Sequence, residues 1–349
     1  MDDNNFWQPE SEDVLNAVEA VFEPSRRKRN FFESNIIPLR SDTRKERRRK
    51  IIFDFLLVVM FCCVLVLLWV LVYDPWQANK KENNLINIMN PPATSAVAPS
   101  PGQEPQTAPP TEVRYSFEKL LAINSDCIGW LSAPGAGIDL PVVQTKNNNY
   151  YLYRNFYLQR SRYGNPFMDC DNTLSPMSTN LIIYGHNMNN NGKIFANLTR
   201  YQKASTVANN PLITLLTPDG GAYYYKIFAV IDINGNPKDD NGYVFQANTR
   251  EFVSEKSFNG FIAQLKQRSY VNTGVDIKYG DKLLSLQTCL YNFKEEYLYV
   301  VGRLVRPGES PTVDASQVVK NPNPRVAQAL YDDWGLRNPF KNAARWDNN

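Results

Sequence analysis

The 349-residue sequence contains a single histidine, His186, and only five cysteines. It has no Cys-x-x-Cys pair, and one imidazole with scattered thiols rarely supplies the four ligands of a structural zinc site. We therefore expect neither a metal site nor a cofactor. The net charge of +3 is too small to indicate a nucleic-acid-binding protein.

The few cysteines also limit disulfide formation. Cys62 and Cys63 fall in a long apolar run, which leaves Cys127, Cys170 and Cys289 in the rest of the chain. Three is an odd number, so at least one of these thiols is unpaired within the chain. A dense disulfide framework is excluded, whereas Cys127 and Cys170 either form one disulfide or remain buried free thiols.

The apolar run covers residues 51–73, and residues 55–72 contain no charge. As a helix these 18 residues extend about 27 Å, close to the ~30 Å hydrocarbon core of a bilayer. Six basic residues lie just before the run, in residues 44–50. The positive-inside rule then predicts a cytoplasmic tail over residues 1–50, a single-pass transmembrane helix over residues 51–73, and an extracellular remainder.

The part after this helix divides by composition into three segments. Proline is frequent among Ala, Ser, Thr and Gln between residues 77 and 111, so we expect an extended, Pro-rich extracellular spacer over residues 74–114. A folded catalytic domain is expected over residues 115–306. Residues 307–349 form a C-terminal extension whose role is not readable from the sequence.

Within the folded domain, short apolar strands alternate with clusters of Gly, Pro and Asn. Many short strands with few helices favour a mainly β fold, as a barrel or a sandwich. The expected strands are residues 138–144, 181–184, 213–217, 223–231, 283–288 and 297–305, and the expected helices are residues 116–124, 192–201 and 254–268.

Cys289 and His186 each stand where an expected strand opens into a loop. A free thiol has a pKa of about 8.5, so a nucleophilic cysteine needs a base or a cation beside it. His186 is the only imidazole that could serve. The alternative interpretation is structural, because most buried cysteines are inert and most lone histidines satisfy local contacts.

Three segments carry a resemblance that bears on this choice. Tyr-Gly-His-Asn-Met at residues 184–188, Leu-Ser-Leu-Gln-Thr-Cys at 284–289 and Val-Val-Gly-Arg-Leu at 300–304 resemble the motifs of class B sortases. Residues 124–131, 138–144 and 149–152 are similar to that class in the same order. The resemblance covers residues 116–305 and implies a closed sortase-type β-barrel with a few peripheral helices, preceded by one transmembrane helix.

The resemblance implies a cysteine transpeptidase in the cell membrane of a monoderm, Gram-positive-type bacterium. Cys289 would attack a C-terminal sorting motif of a surface protein and form a thioester, with His186 as acid and base. An amine of a cell-wall precursor or of peptidoglycan would resolve the thioester. The implied partners are these surface proteins, the cell-wall amine and membrane lipid. A papain-like order is disfavoured, since His186 precedes Cys289.

The third residue of the family, an Arg that stabilises the oxyanion, is not at its expected place. Counting back five residues from Gly302 leads to Tyr297. Arg303 lies six residues further on, about 20 Å along a strand, so we expect it to be structural. The Tyr297 hydroxyl, Lys294 or a residue from another loop are the candidates for the oxyanion role.

Two further functions stay open from the sequence. One is a sortase that polymerises pilin subunits, although such enzymes usually carry a lid and a second membrane segment. The other is a catalytically weak sortase-like module kept for assembly or binding, which Tyr297 at the Arg position motivates.

Overall fold

A computed structural model describes residues 36–40, 42–89, 117–188, 192–236 and 242–348. The chain divides into two compact units, Met1–Trp76 and Gln77–Asn349. Most of the tail expected over residues 1–50, and the part of the expected spacer after residue 89, lie outside the described residues.

The N-terminal unit is built on a long helix. Helix α1 spans Arg44–Leu68 and begins with a capping box, in which Thr43 and Glu46 satisfy each other's backbone N–H groups. A π-helical turn, Trp69–Tyr73, follows, and helix α2 spans Asp74–Met89. The helical stretch Arg44–Met89 contains an 18-residue window of mean hydropathy 3.3, none of which is buried. It is long and apolar enough to cross a membrane.

The second unit contains a closed barrel of eight strands, as expected. Their order around the barrel is β1-β2-β3-β4-β8-β9-β6-β5. The pairs β2–β3 and β4–β8 are parallel and the others are antiparallel. The strands are β1 Cys127–Ala133, β2 Ile138–Val143, β3 Phe167–Met168, β4 Asn180–Tyr184, β5 Leu212–Leu216, β6 Ala222–Asn234, β8 Leu283–Leu290 and β9 Glu296–Leu304.

Strand β1 is absent from the sequence-based prediction. Its centre contains Gly129, which usually weakens a strand. Here the glycine has a packing reason, because a Cβ at this position would lie 2.6 Å from the carbonyl oxygen of Leu216 in β5. The close approach of two backbones at this corner of the barrel therefore depends on glycine.

Helices cover the outside of the barrel. Helix α3 spans Phe117–Ile123, near the expected 116–124. Helix α5 spans Glu255–Arg268, and the Ser254 hydroxyl caps it by accepting a hydrogen bond from the Ser257 N–H. The helix expected over residues 192–201 is wrong: a 3-10 helix, Ala196–Gln202, is followed by helix α4, Ala204–Asn209. Ile194 has a φ of 55°, which an α-helix does not accommodate.

The expectation that residues 74–89 belong to an extended spacer is also wrong. These residues form α2, and Leu85 and Met89, one helical turn apart, are buried. They pack in an apolar cluster that includes Trp130 and Phe156. The frequent prolines that suggested a spacer begin only at Pro91, so this stretch is free to continue the helix and bury an apolar face.

The C-terminal extension also folds onto the second unit. Val319–Lys320 (β10) pairs with Val271–Asn272 (β7) as a small separate sheet. Helix α6, Gln328–Asp333, follows, and its Leu330 packs near Phe293 of the β8–β9 turn. The extension therefore covers a face of the barrel domain.

Among the described residues, no disulfide links the cysteines that follow the apolar helix, since Cys127, Cys170 and Cys289 are all free. Cys127 is buried in the apolar cluster that contains Leu85 and Met89. Cys170 is partly exposed, and its thiol contacts the Asp171 carboxylate at 3.7 Å. Of the two alternatives for Cys127 and Cys170, free thiols are the observed one.

Candidate active site

The parallel pairing of β4 and β8 brings His186 and Cys289 to the same edge of the barrel. Tyr184, at the end of β4, pairs with Gln287 of β8. His186 and Cys289 each follow two residues later. The Thr288 hydroxyl donates a hydrogen bond to the Gly185 carbonyl at 2.7 Å, and the Gly185 N–H donates to the Gln287 carbonyl at 3.0 Å. The two strand ends are thus held side by side.

Asn187 fastens the loop after His186 to the end of β8. Its side-chain Nδ2 donates a hydrogen bond to the Cys289 carbonyl at 2.9 Å. Its own carbonyl accepts a hydrogen bond from the Tyr291 hydroxyl at 2.6 Å. The sequence indicated no role for either side chain. Asn187 lies within the motif at residues 184–188, and the signal for Tyr291 was its position two residues after Cys289.

The His186 ring is held by a backbone carbonyl. Its Nε2 lies 2.8 Å from the Leu152 oxygen, and because a carbonyl oxygen only accepts, Nε2 carries the proton in the neutral ring. Among the described residues, Nδ1 has no hydrogen-bond partner. Nδ1 is therefore the nitrogen available for proton transfer.

Gly164 makes room for this ring. Its φ is 65°, and a Cβ there would lie 2.6 Å from the Tyr151 carbonyl oxygen and 3.2 Å from Cδ2 of His186. Both the left-handed backbone and the short distances require glycine. The exposed Tyr153, next to Leu152 in the chain, has its ring centroid 6.3 Å from that of the imidazole.

Cys289 is half-buried, and this burial raises the pKa of its thiol. Among the described residues, no neighbouring cation opposes this shift of the pKa. A thiol whose pKa lies above its ordinary range is protonated at neutral pH. Burial also raises the pKa values of the Tyr291 and Tyr297 hydroxyls, and Cys289 adds to both shifts. Two phenols therefore lie close to the nucleophile candidate and remain hydrogen-bond donors.

Tyr297 and Arg303, two residues considered for the oxyanion position, lie at opposite ends of the β8–β9 ladder. In the β8–β9 ladder, Tyr297 is paired with Cys289, whereas Arg303 is paired with Leu283 at the other end of β8. Arg303 is buried there, with its Nε donating to the Asp276 carbonyl at 3.1 Å and its guanidinium paired with Glu309. Arg303 is thus engaged away from the site.

Lys294, the remaining named candidate, lies in the β8–β9 turn. Its side chain is 84% exposed, with its ammonium 3.8 Å from the Glu295 carboxylate. The buried Glu296 holds this turn, because its carboxylate accepts hydrogen bonds from the backbone N–H and the side-chain amide of Asn292. These two hydrogen bonds therefore stabilise the turn of the hairpin that carries Cys289 and Tyr297.

Among the described residues, one group has the donor atoms of a metal site: Asp169, Cys170 and Asp171, whose donor atoms lie within 4.8 Å of one another. Arg250 forms ion pairs with both carboxylates, and Asp169 also accepts a hydrogen bond from the Tyr184 hydroxyl. These carboxylates already have a cationic partner. The cluster is better explained as an ion-pair network than as a metal centre.

Comparison with known proteins agrees with this geometry. Residues 131–305 match the family model of the sortase domain. Sortase B of Listeria monocytogenes is 32% identical over 203 residues, which cover 58% of this chain and 76% of that protein. The crystal structure of Clostridium perfringens sortase B has a TM-score of 0.50 and 30% identity, covering 55% of this chain and 100% of that one.

Sortase B from B. anthracis in complex with AAEK1 has a TM-score of 0.53 and 25% identity, and the likeness covers 68% of this chain and 100% of that one. The family match includes both β4 with the residues that follow it and the β8–β9 hairpin. The chain therefore belongs to the sortase family, as a class B sortase, a cysteine transpeptidase that sorts surface proteins.

Proposed function

We propose that Cys289 is the nucleophile of this sortase and His186 its acid and base. The observation that carries the proposal is the register of β4 and β8, with the Asn187 amide bonded to the Cys289 carbonyl. This register supports the proposal because the chain's only imidazole and Cys289 each follow the paired residues Tyr184 and Gln287 by two positions, at the same edge of the barrel.

The acylation step follows from the residue types. As Sγ of Cys289 bonds to the carbonyl carbon of the sorting motif, Nδ1 of His186 takes the thiol proton. The C–N bond of the scissile peptide then breaks, and the same proton passes to the leaving amine. The product is a thioester on Cys289 and a released C-terminal fragment.

The transfer step reverses these roles. An incoming amine attacks the thioester carbonyl, and His186 accepts the proton that the amine loses. The C–S bond breaks, and the proton returns to the Cys289 thiolate. No oxidant or reductant is needed. The protonated resting thiol fits this scheme, since the proton that leaves Cys289 is the one that the leaving amine receives.

The oxyanion of both steps needs a hydrogen-bond donor near the carbonyl carbon. The Tyr297 hydroxyl is our candidate, because its strand position is opposite Cys289 and its raised pKa keeps it protonated. A phenol is a weaker donor than the guanidinium that the resemblance to class B sortases assigns to this position. This favours slow turnover, and it is the specific observation behind the second candidate, a catalytically weak module for assembly or binding.

The substrates that we propose are a surface protein with a C-terminal sorting motif and an amine of a cell-wall precursor or of peptidoglycan. We propose a cytoplasmic N-terminus and an extracellular barrel, supported by the basic residues 44–50 before the apolar helix. Protease added to protoplasts should then digest the barrel and spare an epitope tag placed before residue 40. Protection of the barrel would contradict this orientation.

The residue roles are tested by steady-state transfer of a sorting peptide to an amine, with the full-length protein in detergent micelles. Cys289→Ala and His186→Ala should each abolish transfer and leave the thermal melt of the barrel near that of the wild type. Near wild-type turnover by either variant would refute the assignment. If the wild type binds the peptide without turnover, the assembly or binding module becomes the better description.

A further inference from the structure

Helix α2 makes polar contacts with the barrel domain through Lys81, Glu82 and Asn84, all within the second unit. The Lys193 ammonium lies 2.6 Å from the Glu82 carboxylate. The Asn84 side-chain amide donates to the Tyr157 hydroxyl at 2.8 Å, and the Lys81 ammonium donates to the side chain of Gln159 at 2.6 Å. These three contacts fall on two segments of the domain, residues 157–159 and residue 193.

Residues 157–159 belong to the loop whose Leu152 carbonyl binds the imidazole of His186. Leu152, whose carbonyl accepts the Nε2–H hydrogen bond, lies five residues before Tyr157. The Leu152 side chain packs in the same apolar cluster as Leu85 and Met89 of α2. Helix α2 therefore shares an apolar cluster with Leu152 and makes hydrogen bonds to residues 157 and 159 of the same loop.

The second segment supports the backbone of His186. Lys193 is followed by Ile194, which forms an isolated β-bridge with Asn187. The Phe195 N–H donates a hydrogen bond to the His186 carbonyl at 2.9 Å. The ion pair between Glu82 and Lys193 thus holds the start of the short strand-like segment that fixes the histidine loop.

We propose that α2 positions His186, with Glu82 and Asn84 acting through the two segments that hold its ring and its backbone. These two are positioning residues, since neither touches the reacting atoms. The inference rests on the role proposed for His186. It gives the helix just after the membrane-spanning stretch a function in catalysis beyond that of an anchor.

The single histidine makes this directly measurable. With ¹⁵N-labelled histidine, NMR of the full-length protein in micelles reports one imidazole, and at pH 9 the wild type should show the Nε2–H tautomer. In Glu82→Gln/Asn84→Ala the signals should shift toward a mixture of tautomers, as Leu152 loses its fixed place. Acylation kcat should fall about tenfold, because small displacements of a catalytic group are costly, with KM for the sorting peptide changed less than about twofold.

Asn87→Ala is the matched control, because Asn87 is exposed on the same helix and its side chain makes no hydrogen bond among the described residues. It should leave the tautomer and kcat unchanged. The exchanged pair Glu82→Lys/Lys193→Glu should recover most of the kcat that either single change loses.

The inference is overturned if the Glu82→Gln/Asn84→Ala variant melts at a lower temperature yet keeps both the wild-type tautomer and kcat. That result would make α2 a purely structural support. An equal fall in kcat and an equal change of tautomer in the Asn87→Ala control would also overturn the inference. The tautomer is read without turnover, so active His186→Ala would refute the proposed role of His186 and leave the NMR result standing.

Discussion

Tyr297 is paired with Cys289 across the β8–β9 ladder. Directly opposite residues of an antiparallel pair project from the same face, with Cβ atoms about 4.5–5.5 Å apart. The presence of Cys289 adds to the raised pKa of the Tyr297 hydroxyl, after the larger effect of burial. A neutral phenol thus stands beside the Cys289 thiol, at the position that the resemblance to class B sortases assigns to an Arg.

Removing this phenol hydroxyl should slow acylation. Tyr297→Phe deletes the only donor that the position offers, and loss of one oxyanion donor typically costs about 10² to 10³ in rate. Tyr297→Arg should preserve or raise the rate, because a charged donor binds the oxyanion more strongly. Single-turnover acylation measures both. The control is Tyr224→Phe, on an exposed side chain of β6, and unchanged acylation by Tyr297→Phe would exclude the proposed donor.

Arg303 should matter for stability rather than for turnover. Its guanidinium is buried against Glu309, and breaking a buried ion pair leaves a charge without its main partner. Because Glu309 keeps its contact with Lys226, we expect Arg303→Ala to lower the free energy of unfolding by up to about 3 kcal/mol. Denaturant unfolding tests this, with the exposed Lys278→Ala as a control that should cost below about 0.5 kcal/mol. A well-folded but inactive Arg303→Ala would instead make Arg303 catalytic.

The reactivity of Cys289 toward iodoacetamide should follow its raised pKa. Burial disfavours the thiolate, so the alkylation rate should reach half of its maximum at a higher pH than in a free peptide of residues 284–291. Site-resolved mass spectrometry separates Cys289 from the other cysteines. A half-maximum at a lower pH than in the peptide would show instead that the resting site holds a thiolate paired with the imidazolium.

Asp232 should make the barrel less stable as the pH rises from about 4 to 7. Burial raises the pKa of Asp232 to about 7, although the Tyr270 hydroxyl bonds to it and opposes the shift. The folded state then binds more protons than the unfolded state across this window, so the free energy of unfolding falls with pH, by at most about 1.4 kcal/mol per unit. Asp232→Asn should flatten this slope, and exposed Asp333→Asn should not. A slope that survives in Asp232→Asn would assign it to other groups.

The barrel and the strand-end positions of Cys289 and His186 were predictable because they depend on local signals. Each of β4, β8 and β9 is an apolar run that ends at a Gly or a turn residue, and residues 184–188 and 284–289 carry the motifs of the family. Helix α5 was predictable for the same reason, because its capping serine and its apolar face lie within one short stretch of sequence. Patterns of this kind lie within a few residues of one another, so the sequence alone contains them.

The parts that the sequence did not reveal depend on contacts between distant segments. The carbonyl of Leu152 binds His186 from 34 residues away, and a backbone acceptor has no signature in the side-chain pattern. Likewise, Met89 is buried in a cluster with Trp130 and Phe156 of the folded domain, whereas the sequence after it continues directly into Asn90 and the prolines. Only packing distinguishes a docked helix from a spacer there.

Capture of the acyl-enzyme tests the central claim most directly. The full-length protein in micelles is mixed with a sorting peptide without an acceptor amine, quenched in acid, and analysed by intact mass and by fragmentation. We expect a peptide acyl group on Cys289 alone, which disappears when an amine is added as the ligated product appears. His186→Ala should form it at least about 100-fold more slowly. A thioester on another cysteine, or a wild-type rate of formation in His186→Ala, would contradict the assignment of this pair.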